Sequence, residues 1–265
     1  MIKIGFIGVG NMAKAIIKSL KNSSNNNFII GGFDIDKNFK NICKNLKIKK
    51  YGSNSELVKN SDAIFLSIKP QQISDVLNEI RQVIKNQMLI SIAAGVSIRK
   101  IQKLLRKKIP VIRVMPNTPV LVGEGACGYS FSKEVSTKQK KIAEKIIKSF
   151  CKIYFCVKEH DIDVITSLSG SGPAYFFYII EAMIEQAKAF GFNETKAKML
   201  AAQTLTGTGK LLLTTGEEPS ILRQRVTSKG GTTEAALEIF EKNRLKEIIK
   251  KGISAAYKRA KELGR

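Results

Sequence analysis

Short apolar runs alternate with amphipathic stretches along the first 157 residues of the chain. Runs of this kind predict buried strands, and a 3.6-residue period predicts helices that pack on them. The predicted strands are residues 2–7, 28–33, 63–68, 88–93, 111–115 and 153–157, and the predicted helices include 11–21, 71–83 and 138–150. Strands and helices that alternate at these lengths indicate an α/β fold with a parallel sheet covered on both faces.

Two stretches interrupt this alternation. A polar loop, SSNNN at residues 23–27, separates the first helix from the second strand. Residues 123–132 have a strand-like but irregular pattern. We expect the first stretch to be a loop.

The pattern becomes helical throughout after about Glu159. A break at SGSGPAY, residues 169–175, is either a helix N-terminus with Pro173 near its first position or a kink between two helices. We predict two domains, residues 1–158 with the parallel sheet and residues 159–265 all-α. The helices of the second domain are apolar enough to predict dimerisation.

A glycine pattern follows the first predicted strand directly. Gly8, Gly10 and Ala13 form GxGxxA, in which the glycines permit a tight turn and let the backbone approach a pyrophosphate. The small third residue lets the following helix pack on the strand. With a strand before it and a helix after it, the pattern predicts a Rossmann-type dinucleotide-binding domain in preference to a merely structural glycine turn.

Asp34 ends the second predicted strand, at the place where an acid commonly binds the ribose 2′-hydroxyl of NADH. Lys37 and Lys40 follow closely, and either could instead neutralise the 2′-phosphate of NADPH. A helix N-cap is a competing interpretation of Asp34. These residues alone leave the choice between the two cofactors open.

Other cofactor contacts are expected beyond the carboxyl ends of the strands, where ligands of such sheets bind. The residues placed there are Ser67, Lys69, Ala93, Ala94, Pro116 and Asn117. A solvated lysine is an equally good interpretation of Lys69.

The stretch SKGGTTE, residues 228–234, precedes an apolar helical run. Its glycines allow a tight fold, and a helix that begins at the threonines leaves free N–H groups that favour an anion such as a carboxylate. The alternative is a tight turn with a threonine N-cap. We interpret this stretch as a candidate substrate site.

The composition excludes several classes of function. The formal charge is +23, but only nine of the 45 basic residues are arginine and tryptophan is absent, so we attribute the lysines to a compositional bias rather than to a nucleic-acid surface. The positive field should still attract small anions. His160 is the single histidine, which disfavours a histidine metal site or a Ser-His or Cys-His nucleophile.

The remaining composition indicates a cytoplasmic protein. The four cysteines, Cys43, Cys127, Cys151 and Cys156, lack CxxC spacing and fit reduced thiols. No apolar run reaches the roughly 18 residues of a membrane span, and the N-terminus shows no export signal. We therefore expect neither a membrane nor a nucleic acid as partner.

Six motifs occur in one order along the chain: GFIGVGNMA from Gly5, FLSIKP from Phe65, SIAAGVSI from Ser91, VIRVMPNTP from Val111, LSGSGPAYFFYIIEAM from Leu168 and VTSKGGTTEAAL from Val226. By these motifs the chain resembles the pyrroline-5-carboxylate reductases, which catalyse the last step of proline biosynthesis. The resemblance implies hydride transfer from NADPH, with NADH as the alternative, to a cyclic imine. It also implies a helical dimerisation domain and a homodimer or a decamer of five dimers.

The resemblance extends the set of candidate residues. The cofactor-binding residues that it implies, together with those expected from the strand ends, are Gly8, Gly10, Asn11, Met12, Asp34, Asn54, Ser67, Lys69, Pro70, Ala93, Ala94, Asn117, Ser171 and Gly172. The substrate-binding residues are Ser228, Gly230, Gly231, Thr232 and Thr233. Thr233 is the expected catalytic residue, because its hydroxyl would bond the nitrogen of the imine ring.

Two alternatives and two departures accompany the resemblance. A 3-hydroxy acid dehydrogenase shares the layout but carries a lysine about a turn after GSGPAY, where this chain has FFYII. A catalytically silent dinucleotide-binding regulator would leave SKGGTTE without a use. The chain has Lys229 where most members have proline, and Gln224 where an acid is common.

Overall fold

The computed structural model describes residues 1–23 and 28–263, so the loop predicted at 23–27 lies, except for Ser23, outside the described residues. The chain divides into two compact units. The first is Met1–Pro173 with Ala255–Arg265, and the second is Ala174–Ser254. The domain limits predicted from the sequence, 1–158 and 159–265, divide the chain earlier and stay a prediction.

One sheet organises the first unit. Its strands are β1 (Ile2–Ile7), β2 (Phe28–Phe33), β3 (Lys49–Lys50), β4 (Ala63–Leu66), β5 (Met88–Ser91), β6 (Val111–Pro116), β7 (Ala126–Phe131) and β8 (Ile153–Cys156). Their spatial order is β3-β2-β1-β4-β5-β6-β7-β8. Every pair from β3 across to β6 is parallel, which confirms the predicted parallel sheet.

The irregular stretch at 123–132 contains β7, which runs antiparallel to β6. The two strands are connected by residues 117–125, which include a short 3-10 turn, Thr118–Val122, and the left-handed Gly123. A connection this short cannot hold the crossover that a parallel pair requires, so the chain direction reverses. β8 then pairs parallel to β7.

Seven short helices and one π-helical turn complete the first unit up to residue 170. They are α1 (Asn11–Asn22), α2 (Phe39–Leu46), α3 (Asn54–Lys59), α4 (Ile73–Ile80), α5 (Ile98–Leu105), α6 (Thr137–Lys148), α7 (Asp161–Ile165) and the π turn Thr166–Gly170. The apolar faces of α1, α2 and α6 pack in one core cluster, and those of α3, α4 and α5 pack in another. The sheet is therefore covered on both faces, as predicted.

The remaining helices are α8 (Gly172–Ala189), α9 (Glu194–Thr215), α10 (Pro219–Arg225), α11 (Thr232–Lys242) and α12 (Leu245–Leu263). At SGSGPAY, α8 begins at Gly172 with Pro173 as its second residue, one residue after a π turn that joins it to α7, so both features considered for this break, a helix start and a junction of two helices, are present. No helix within the described parts of the chain is both long and apolar enough to cross a membrane. The α/β arrangement followed by an all-α region confirms the predicted fold class.

A buried arginine fixes α7 to the sheet. Arg113 on β6 is 4% exposed, and its guanidinium lies 2.6 Å from the carboxylate of Asp163 and 3.7 Å from that of Glu159. Glu159 also accepts a hydrogen bond from the backbone N–H of Ile98, at 2.7 Å, at the start of α5. One buried charge thus joins a strand and two helices, and a charge so placed must be paired.

Removing the arginine should destabilise the first unit. We expect Arg113→Leu to lower the free energy of unfolding by about 3 kcal/mol, because it leaves two carboxylates without their cation. Arg259→Leu is the control: its pair with Glu262 is exposed, 67% and 56% for the two side chains, and its loss should cost less than about 1 kcal/mol. Urea unfolding of both variants measures the difference, and equal losses would contradict the assigned role of Arg113.

Candidate active site

The sheet order reverses beside β1. From β1 the chain proceeds outward to β2 and β3 on one side, and then continues from β4 on the other side. Three loops, those after β1, β2 and β4, therefore meet at one end of the sheet. In open parallel sheets such a switch point is where ligands bind.

The loop after β1 has room for a ligand at one glycine but not at the other. Gly8 has a φ of +84°, and a Cβ added there would lie 2.7 Å from the carbonyl oxygen of Ser67. Gly10, the N-cap of α1, has no heavy atom within 4 Å of such a Cβ. Gly8 is therefore required by the close approach of two backbones, whereas Gly10 leaves open space at a helix N-terminus suited to a phosphate.

Asp34, after β2, is held against this loop. One of its carboxylate oxygens accepts from the Val9 backbone N–H at 2.6 Å, and the other accepts from the Asp36 N–H at 2.9 Å. The N-cap interpretation of Asp34 is wrong, because α2 begins at Phe39 with Asn38 as its N-cap. Its carboxylate instead turns back towards the glycine loop.

Two buried side-chain oxygen atoms in this region have no hydrogen-bond partner among the described residues: Oδ1 of Asn54 and Oγ of Ser67. The amide nitrogen of Asn54 donates to Glu79 at 2.6 Å. A buried polar atom without a partner costs roughly 1–3 kcal/mol, so a ligand that bonds either atom is favoured. These residues and the open space at Gly10 fit a dinucleotide.

One cavity of about 240 Å³ collects six of the predicted cofactor residues, which are Gly8, Gly10, Asp34, Asn54, Ser67 and Lys69. Its other lining residues are Ile7, Phe33, Ile35, Ile68, Gln72 and Val76. The prediction missed these mostly apolar residues because, in sequence, they resemble strand and helix core positions. Ile35 could have been suspected, since it is an apolar residue in a polar loop.

The remaining predicted cofactor residues do not line this cavity. They are Asn11 and Met12 at the start of α1, Pro70 after β4, Ala93 and Ala94 after β5, Asn117 after β6, and Ser171 and Gly172 at the start of α8. Asn117 is engaged internally: it donates to Ser169 Oγ at 3.1 Å and accepts from the Ala126 N–H at 2.9 Å. Their roles stay predictions, as does that of Pro116, the last residue of β6.

In the second unit, residues 228–231 form a β-turn that leads into α11. The Gly231 N–H donates to the Ser228 carbonyl at 3.0 Å, and Gly230 has a φ of +71°. A left-handed third residue is typical of a type II turn, which favours proline at the position that Lys229 occupies. Lys229 lacks the fixed φ that a proline would supply at this position.

The helix start differs from the alternative of a threonine N-cap. The N-cap of α11 is Gly231, so Thr232 and Thr233 are the first two helical residues and that interpretation is wrong. The carboxylate of Glu234 reaches back to the Gly230 N–H at 2.6 Å. The threonine hydroxyls make no cap bond, and the first helical turn keeps N–H groups that can hold a carboxylate.

Other side chains offer little nucleophilic chemistry. A hydrogen bond with Cys151 and burial both raise the pKa of the Cys127 thiol, so it stays protonated at neutral pH. Within the described residues, no group of three or more His, Cys, Asp or Glu side chains could hold a metal ion. The groups that the two candidate regions offer are hydroxyls, carboxylates, amides, one lysine and backbone N–H groups.

Comparison with known proteins identifies the family. Residues 159–263 match the family model for pyrroline-5-carboxylate reductase dimerisation, and residues 3–95 match that for NADP oxidoreductase, coenzyme F420-dependent. The chain is 36% identical over 266 residues to pyrroline-5-carboxylate reductase 2 of Bacillus subtilis, covering 99% of this chain and 95% of that one. It belongs to the pyrroline-5-carboxylate reductase family.

Solved structures of the family agree over the full length. The pyrroline carboxylate reductase of Plasmodium falciparum, crystallised with NADP bound, is 31% identical with a TM-score of 0.91, covering 100% of this chain and 98% of that one. The Coxiella burnetii reductase is 35% identical with a TM-score of 0.89, covering 100% and 99%. Family membership favours the imine reductase over the 3-hydroxy acid dehydrogenase.

Substitutions at the two glycines of the β1 loop should have different effects, one on stability and the other on cofactor binding. We expect Gly8→Ala to lower the free energy of unfolding by more than about 1 kcal/mol, because φ is left-handed and the new Cβ meets a carbonyl. Gly10→Ala should fold normally but bind a nicotinamide dinucleotide more weakly, since the methyl group enters the open space. Thermal unfolding and calorimetric titration measure both effects. Full affinity in Gly10→Ala would contradict the placement of the phosphates.

Proposed function

We propose that this chain reduces 1-pyrroline-5-carboxylate to L-proline with a hydride from a reduced nicotinamide dinucleotide. The observation that carries the proposal is the end-to-end match to a named reductase at 36% identity. The open glycine loop and the turn before α11 supply, within their own units, the two kinds of binding site that the reaction requires.

The proposed reaction does not require a strong general acid from the protein. A cyclic imine protonated on nitrogen needs only a hydride at its carbon, and bound reduced nicotinamide would supply it. The backbone N–H groups at the start of α11 would hold the substrate carboxylate, with Ser228, Gly230, Gly231 and Thr232 shaping the turn around it. Thr233 would accept a hydrogen bond from the ring N–H. Orientation and anchoring, rather than a strong general acid, would then lower the barrier.

We also propose a homodimer formed through the helical unit. Every residue of α9 from 202 onward is exposed, including Leu205, Leu211, Leu212 and Leu213, of which Leu213 is 68% exposed. A second apolar surface, a groove of about 1000 Å³ with Tyr178, Met183 and Phe190 among its walls, lies in the same unit. Apolar surface of this extent indicates an interaction site. A decamer of five dimers and a cytoplasmic location stay predictions.

Turnover tests the proposed activity. We expect purified protein to oxidise NADH or NADPH when pyrroline-5-carboxylate is added, followed by loss of the reduced-nicotinamide absorbance. A 3-hydroxy acid with the oxidised cofactor serves as the control substrate and should give no reaction. Absence of turnover with both reduced cofactors would refute the enzymatic proposal.

Thr233 tests the position of the substrate. Thr233→Ala should lower kcat/KM by about 10- to 100-fold, the effect of losing a hydrogen bond to a charged group, while cofactor affinity changes little. Thr233→Ser retains the hydroxyl and should keep most of the activity. Parallel losses of turnover and cofactor affinity in Thr233→Ala would mean that the substrate lies elsewhere.

Light scattering after size exclusion tests the oligomer. We expect a mass of at least twice the 29.3 kDa of one chain. Leu213→Glu should shift the protein towards the monomer, since a charge on α9 opposes burial there. Leu121→Glu, at a 60% exposed leucine of the first unit, is the control and should keep the wild-type mass. A monomeric wild type at micromolar concentration would contradict the proposal.

A further inference from the structure

The strand-end cavity presents hydrogen-bond acceptors on the side of β2. We propose that this chain binds NADH in preference to NADPH, with Asp34 and Asn54 as the specificity-determining residues and Glu79 as a positioning residue that acts through Asn54. The inference rests on the proposed function for the assumption that the cavity holds a nicotinamide dinucleotide. It reverses the expectation of NADPH that came from the family resemblance, in a choice that the residues alone left open.

Asp34 favours a hydroxyl over a phosphate. Its two carboxylate oxygens are fixed by the N–H groups of Val9 and Asp36, and each oxygen can accept a further bond. A ribose 2′-hydroxyl has a proton to donate to such an acceptor. A 2′-phosphate is an anion, and the carboxylate of Asp34 would repel it.

A second acid lies in the same loop. Asp36 is exposed, and one of its carboxylate oxygens accepts from the Asn38 N–H at 2.8 Å, which holds the side chain near the start of α2. The loop after β2 therefore places two acids before its first lysine, Lys37. Like Lys37 and Lys40, however, Asp36 does not line the cavity, so these exposed charges offset one another and the preference rests on Asp34 and Asn54.

Asn54 also favours NADH over NADPH, through a different contact. Glu79 accepts the amide N–H of Asn54 at 2.6 Å, and a carboxylate cannot donate to the amide oxygen, so Glu79 orients the amide with its nitrogen towards α4. The amide oxygen is left buried without a donor, in a residue that lines the cavity and is 5% exposed. A ligand hydroxyl can supply that donor, whereas an ionised phosphate cannot.

The nearby lysines do not offset these acceptors. Lys37 and Lys40 are exposed and do not line the cavity. Lys69 does line it, but Lys69 follows β4, which lies on the opposite side of β1 from β2. The cation of the cavity therefore belongs to a different loop from Asp34.

Calorimetric titration of the wild type with each reduced cofactor is the primary test. We expect the Kd for NADH to be at least about tenfold lower than that for NADPH, the effect of one charge-assisted hydrogen bond gained or lost. Equal affinities, tighter binding of NADPH, or no binding of either cofactor would overturn the inference. This test does not depend on any variant being folded.

Substitutions test which residues cause the preference for NADH. Asp34→Asn should reduce the ratio of NADPH to NADH dissociation constants about tenfold, because it removes the charge but keeps an acceptor. Glu79→Ala should raise the Kd for NADH severalfold. Glu79→Gln should keep the Kd near the wild-type value, because the glutamine carbonyl still accepts from Asn54. Asp75→Asn, an exposed acid of the same helix that does not line the cavity, is the control and should change neither constant.

The outcomes separate this inference from the proposed activity. Preferential binding of NADH without turnover of pyrroline-5-carboxylate would refute the activity and leave the inference standing. Turnover with tighter binding of NADPH would refute the inference and leave the activity standing. If Glu79→Gln binds NADH as weakly as Glu79→Ala does, Glu79 does not act as a positioning residue.

Discussion

The arrangement of the dinucleotide cavity depends on the close approach of two backbones, those of Gly8 and Ser67. The carbonyl of Ser67 occupies the place that a side chain at Gly8 would need, and the Ser67 N–H donates to the Ile7 carbonyl at 2.9 Å. The loops after β1 and β4 are thereby joined. Because the Gly8 N–H also donates to the Phe33 carbonyl at 2.9 Å, the end of β2 is held at the same point. Asp34 and Ser67 reach one cavity as a result of this contact.

The sequence predicts the strands and the longer helices. It does not predict features that depend on contacts between residues far apart in the chain. The strands predicted at 2–7, 28–33 and 111–115 match β1, β2 and β6 within one residue, because burial imposes a period that a single chain displays. Helices α2, α3 and α5 were not assigned, since each spans only six to eight residues, about two turns, with two to four apolar positions. The sheet could be predicted, whereas its short covering helices could not.

The candidate site shows the same division. Gly8, Gly10 and Asp34 follow from their spacing after strands, a local rule with a physical cause. Glu79 has no such signal: it is an exposed acid on α4, and its importance arises only from its 2.6 Å contact with Asn54, 25 residues away. The predicted start of α11 at the threonines is confirmed, whereas the alternative of a threonine N-cap is wrong. Glycine and threonine both serve as N-caps, so only the folded turn distinguishes them.

If the proposed dimer forms through α9, its exposed leucines make the free energy of unfolding depend on protein concentration. A helix that leaves this much apolar surface in water gains free energy only when another surface covers it. If that surface belongs to a second copy, mass action adds a concentration-dependent contribution to the free energy of unfolding. Dilution would then loosen the helical unit while leaving the sheet, with its own two core clusters, intact. Catalytic competence would be lost on dilution before the ability to bind a dinucleotide.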